Sequence, residues 1–118
     1  MPGADMGQIV NVTPQAFAFG AFIAEGAGSP WFKFFAVGIN SVTRTGPGAY
    51  NINLTATFNH LMVPIVVFGT STEAGWTAQV GATNLGVPSS VGIATYNTAF
   101  VQTDVPLGDS VLLVVVGS

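Results

Sequence analysis

The chain has no cysteine and scarcely any charge. Without cysteine, disulfide frameworks, thiolate metal sites and cysteine nucleophiles are all excluded. Among 118 residues only Lys33 and Arg44 are basic, and only Asp5, Glu25, Glu73, Asp104 and Asp109 are acidic. That is 6% charged residues, against about a quarter in an average soluble domain. Two cations cannot form the basic stripe that phosphate-backbone binding needs, so nucleic acid is not an expected partner. Nor can two cations hold a protein on an anionic membrane surface. Long apolar runs are missing too: none reaches the ~18 residues of a membrane-spanning helix. Residues 16–24 are apolar but lack a basic flank and are interrupted by Gly20, which makes a poor secretory signal.

What the chain does have is apolar residues, at 49%, and fifteen glycines. So apolar a chain with so few charges has large uncharged patches, and such patches tend to be contact sites. The expectation is a homo-oligomer, a subunit of something larger. A length of 118 residues suits one domain able to bury roughly two-thirds of its unfolded surface.

The clearest pattern lies in residues 33–58, KFFAVGINSVTRTGPGAYNINLTATF. Tyr50, Ile52, Leu54, Ala56 and Phe58 alternate with Asn51, Asn53, Thr55 and Thr57. A period of two means a strand with one buried and one wet face. Phe35, Val37 and Ile39 repeat that alternation, and Gly46-Pro47-Gly48 lies between the two runs as a turn. The predicted core face is Phe35, Val37, Ile39, Tyr50, Ile52, Leu54 and Phe58.

Along the rest of the chain, residues 1–15 read as an extended arm able to add one edge strand, and residues 16–118 as a single β-sandwich domain. Strands are expected at 16–24, 31–43, 50–58, 64–70, 76–82, 91–96, 100–103 and 111–116, with Gly38 marking a bulge or a close backbone approach. Residues 91–103 form a hairpin around Asn97-Thr98. Short strands with turn signals every 8–12 residues are the pattern of an antiparallel sandwich or barrel. The run VLLVVV, Val111 to Val116, is an aggregation hazard on a free edge, so it is placed in a central strand or at a subunit interface, with Val111 and Val114 as interface candidates.

Chemistry is sparse. His60 is the sole histidine, and no HxH, HExxH or DxDxDG spacing accompanies it, so no metal site and no cofactor is expected. No serine stands in a G-x-S-x-G turn. Neither glycine-rich turn precedes a helix or carries a Lys-Ser/Thr, so neither is a phosphate loop. With no catalytic constellation, the chain reads as not an enzyme. Trp31, Trp76, Tyr50 and Tyr96 can pack in a core or interface, or stack on sugar rings. Arg44, beside the turn, can make a bidentate contact with a partner carboxylate or stay solvated.

Residues 35–54, FAVGINSVTRTGPGAYNINL, end a strand in S-V-x-R-x-G and continue with G-x-Y and an alternating strand. This resembles small β-sandwich modules of bacteriophage virion proteins, found in tail-fibre tips and capsid-associated proteins. The matching positions are Ile39, Ser41, Val42, Arg44, Gly46, Gly48, Tyr50, Ile52 and Leu54, and PIVVFGT (64–70) fits the next run of those modules. The resemblance implies an antiparallel jelly-roll-like sandwich of about eight strands, usually a trimer, on the virion. The chain lacks the long shaft or collagen-like repeat of a complete fibre, and with its own Met1 it looks like a small stand-alone protein. It therefore looks more like a capsid decoration, or cement, protein bound to the major capsid protein at the capsid surface. A receptor-binding or glycan-binding fibre tip is the alternative. Interface candidates on this reading are Arg44, Tyr50, Trp31, Trp76, Val111 and Val114.

Overall fold

The computed structural model describes residues 16–26, 28–55, 57–58, 60–70, 75–85 and 89–118. The expected arm at 1–15 lies outside the described residues. The described residues form eight strands: β1 (Ala16–Ile23), β2 (Phe32–Val37), β3 (Ile39–Gly46), β4 (Ala49–Leu54), β5 (Met62–Thr70), β6 (Thr77–Asn84), β7 (Ser90–Tyr96) and β8 (Ser110–Gly117). They make two antiparallel four-stranded sheets, ordered β2-β1-β8-β5 and β3-β4-β7-β6. The fold is an all-β sandwich, jelly-roll-like in that its first strand pairs with its last.

Alternation explains the core. From the first sheet Ala18, Phe22, Val111, Leu113 and Val115 face inward, and from the second Ile39, Tyr50, Ile52, Leu54, Val91 and Ile93 meet them. Phe22, Phe58 and Leu113 are fully buried, each contributing roughly 1.5–3 kcal/mol relative to exposure. Val111–Val116 is interior to its sheet, with β1 on one side and β5 on the other.

The predicted hairpin across Gly46-Pro47-Gly48 is present: β3 and β4 pair with Val42 opposite Ile52 and Arg44 opposite Tyr50. The expected long strand 31–43 is not. Gly38 takes φ +73°, and the chain leaves β2 in one sheet to enter β3 in the other. A Cβ at Gly38 would lie 3.1 Å from Ala18 Cβ, so the close approach expected there is real.

Breaking that strand reassigns two residues. Phe35 and Val37 are about half exposed, not core. They pair with Ala21 and Phe19, which point away from the interior, while Ala36 packs inward. Alternation put Phe35 and Val37 on one face correctly but joined them to Ile39, whose sheet is the opposite one. Likewise the expected strand 50–58 stops at Leu54, where the chain turns toward the other sheet. Thr55 N donates to Gly38 O and Phe58 N to Ser89 Oγ. The expected strand 100–103 shrinks to a single bridge, Tyr96 with Gln102. Asn97 organises the turn before it, its Oδ1 accepting from Ala99 N and Val101 N.

Candidate functional site

The outer face of sheet β2-β1-β8-β5 is the most unusual surface of the molecule. Strand register places its residues in rows running across the sheet. One row is Val37, Phe19, Val114 and Ile65; the next is Phe35, Ala21, Leu112 and Val67. Phe17, Val116 and Val63 continue the pattern on one side, and Phe32 and Ile23 on the other. None of these residues is charged or carries a polar side chain, and the apolar rows end where Ile23 pairs with Ser110 and Ser110 with Thr70. Phe17, Phe32, Phe35, Ile65 and Val67 are each half exposed or more. Their rings gather: Phe17 stacks on Phe19 at 5.9 Å, and Phe19 meets Phe35 at 5.3 Å.

The extent of the face follows from strand geometry. Four strands of six to nine residues, about 4.8 Å apart and rising about 3.4 Å per residue, give roughly 500 Å² in projection. That is near the top of the ~300–600 Å² range of the largest apolar patch on an ordinary monomer. At about 25 cal/mol per Å², leaving it wet forgoes on the order of 10 kcal/mol. A core-facing β8 explains only half of its VLLVVV pattern. The other half, Leu112, Val114 and Val116, is on this outer face, where Leu112 and Val116 are exposed and Val114 is half-buried.

The opposite outer face, on β3-β4-β7-β6, is of another character. Asn51 Nδ2 donates to Asn53 Oδ1, and Asn53 Nδ2 to Ser41 Oγ, so the Asn/Thr side of β4 is a hydrogen-bonded polar ladder. Thr43, Asn51, Asn53, Asn84 and Gln102 border a shallow trough of about 460 Å³ whose floor is Gly92 and Ala94. The molecule thus has one apolar and one uncharged polar outer face.

The remaining cluster is a latch. Asp104 accepts from Arg44 Nε at 3.0 and 3.1 Å, from Gly48 N at 2.8 Å, from Tyr50 Oη at 3.0 Å and from Gly28 N at 3.1 Å. Arg44 Nη2 closes the ion pair at 3.0 Å. Tyr50 Oη in turn accepts from Val105 N at 3.3 Å. Partial burial pushes the Asp104 carboxyl up, but Arg44 and the donors from Gly48, Gly28 and Tyr50 outweigh it and hold it at about 2. Burial pushes the Tyr50 phenol up to about 12. The Trp31 ring stacks on Tyr50 with centroids 3.9 Å apart. A carboxylate so fully engaged by a cation and donors is a structural anchor for three loops rather than an acid or base.

This sorts the six candidate residues. Arg44, Tyr50 and Trp31 do come together, yet around the chain's own Asp104 and not toward a partner carboxylate. Tyr50 and Trp31 are buried, so they hold the fold together and cannot stack on a sugar. Val111 is buried in the core. Trp76 packs against Phe68 at 5.9 Å. Of the six, Val114 alone stands in the rows of the apolar face. Leu112 lies in the run 111–116 already assigned to a central strand or an interface, whereas Phe19, Ile65 and Val67 are not among the six candidates; the face they share becomes visible only once the register joins β1, β5 and β8. Among the described residues no group of three or more His, Cys, Asp or Glu could hold a metal ion, and no helix is long and apolar enough to cross a membrane. No protein-family model, curated protein or solved structure matches the chain.

Proposed function

We propose that this protein is a virion structural protein of the capsid decoration type, working as a homo-oligomer, with a trimer as the assembly. The observation that carries the reading is the uncharged apolar outer face of β2-β1-β8-β5. Burying it is the favourable step that association supplies, and no covalent or catalytic chemistry is needed. The polar, uncharged ladder of β3-β4-β7-β6 then forms solvent surface. The resemblance of residues 35–54 to phage virion modules supports the virion placement, and the major capsid protein is the partner it implies.

Quantitative mass spectrometry of particles carrying this gene tests the reading. A decoration protein appears in high copy, in a fixed ratio to the major capsid protein. Absence from particles would overturn it.

The trough on β4, β7 and β6 favours a second reading, a glycan-binding fibre tip. Asn and Gln side chains both donate and accept, which suits the hydroxyls of a neutral sugar. A few copies per particle, together with binding on a glycan array that a bulky Ala94→Trp substitution abolishes, would select this reading over the first.

A further inference from the structure

Residues 97–109 join β7 to β8 with no strand of their own beyond the single bridge at Gln102. Irregular connections approaching ~12–15 residues are uncommon in a compact domain, and are as a rule either disordered or functional. This one is fastened along its whole length. Phe100 N donates to Asn97 O and Asn97 N to Val101 O, closing the first turn. Gln102 Nε2 donates to Gly48 O, Thr103 N to Thr95 O, and Thr95 Oγ1 to Thr103 O. Asp104 ties the middle to Gly28 and Gly48, in the loops that follow β1 and β3. Gly108 N donates to Ala24 O and Ala24 N to Asp109 O, which secures the far end.

What this framework presents to solvent is apolar. Phe100 is 80% exposed, Leu107 70%, and Val101 more than half. Phe100 also stands at φ +60°, alone among the described non-glycine residues. That region is unfavourable for a bulky side chain, and such strain persists where the surroundings impose it, typically at sites of function. Fold stability by itself would favour glycine at this position. The turn instead holds a phenyl ring in water, against the preference of its own backbone. An aromatic side chain on a fixed loop has little freedom left to lose on binding, which is the character of an interface anchor.

The chemistry of the chain narrows the partner. Arg44 is engaged by Asp104 and Lys33 by Asn40 O, so both cations already hold acceptors of their own chain rather than the phosphates of a lipid or nucleic acid. Nor does the trough of a second copy suit a phenyl ring. Its walls include Thr43, Asn51, Asn53 and Gln102, which the ring would desolvate without replacing their hydrogen bonds. We propose that segment 97–109 is the surface by which the chain grips the major capsid protein. Phe100 enters an uncharged apolar pocket of that protein, and Val101 and Leu107 cover the apolar surface beside it. The inference rests on the virion part of the function proposed for this chain and supplies the contact to the capsid.

Particles made without this gene, mixed with purified full-length protein, test the proposal, bound copies being counted after sedimentation. The native chain is expected to bind in a fixed ratio to the major capsid protein. Phe100→Gly relieves the backbone strain, so its melting temperature should equal or exceed that of the native chain. Its binding should nevertheless weaken on the order of 30-fold, the loss of a typical hot spot. A residue needed only for folding would do the reverse. Leu107→Asp is expected to weaken binding as well, with the native mass in solution unchanged. Because the chain has no cysteine, Phe100→Cys offers a single attachment point for a benzophenone maleimide, which should photo-crosslink to the major capsid protein. Unchanged binding of Phe100→Gly or of Leu107→Asp would overturn the proposal, as would an adduct only between two copies of this chain. So would co-sedimentation of the native chain with phosphatidylcholine vesicles that Phe100→Gly abolishes. If the native chain itself does not bind, the virion reading fails and this contact with it; if the native chain and the variants bind alike, only this contact fails.

Discussion

Replacing Asp104 by Asn isolates the latch. In the native chain the carboxyl is held at about 2 against an ordinary 3.8. At about 1.4 kcal/mol per pH unit of displacement, that difference is worth roughly 2 kcal/mol at neutral pH. The side chain is only 11% exposed, so solvent screening removes little of it. The sign follows from the depressed value. The stabilisation is complete above pH ~4 and disappears as pH falls through about 2, where the folded protein must also take up the proton. An asparagine in this position cannot ionise, so Asp104→Asn lacks the stabilisation at every pH. Thermal melts at fixed protein concentration should show the variant lower by roughly 8 °C at pH 7, taking about 4 °C per kcal/mol for a domain of this size. The gap should close between pH ~4 and pH ~2, because the other carboxylates titrate alike in both proteins. A variant as stable as the native chain at pH 7, or a gap that persists below the folded-state value, would show that the carboxylate is not the anchor.

Tyr50→Phe removes the hydroxyl between Asp104 and Val105 N, and urea unfolding at pH 7 should show a loss of about 1–2 kcal/mol. In the native protein the raised Tyr50 phenol keeps its contribution below pH ~10 and loses it as pH rises toward about 12, which tyrosine absorbance alongside circular dichroism would follow. Gly48→Ala should cost about 3 kcal/mol or more, since Gly48 sits at φ +64° and a Cβ there would lie 2.6 Å from Thr103 N. Deleting residues 112–118 removes most of the strand between β1 and β5, and the product should be insoluble or show no cooperative melt. Ile65→Asp, half exposed on the apolar face, should leave the melting temperature of the isolated chain nearly unchanged while abolishing association, checked by light scattering across a concentration series.

Most strands were legible because their alternation is local. Tyr50, Ile52 and Leu54 show their buried side whatever sheet they join, and Gly46-Pro47-Gly48 marks the hairpin from its own φ preferences. What local pattern cannot reveal is which of two sheets a strand enters. At Gly38 one left-handed residue sends the chain across the sandwich, and it separated Phe35 and Val37 from Ile39. The latch was half visible: Arg44 stood out as a bidentate donor, but Asp104 is sixty residues away and only the packing of β3, β4 and the 102–105 segment brings them together. The apolar face was foreshadowed by the overall excess of apolar over charged residues. Its location required the register of β1 with β8 and of β8 with β5, which unites Phe19, Val114 and Ile65 in one row.

Whether this row and its neighbours are covered by other copies of the chain is decided by the native mass of the full-length protein. Sedimentation or light scattering at micromolar concentration reads it. The expected result is a single species of three 12.1 kDa chains that Ile65→Asp reduces to one. A soluble single chain, with its apolar face free across that concentration range, would mean that the face is not a contact between copies.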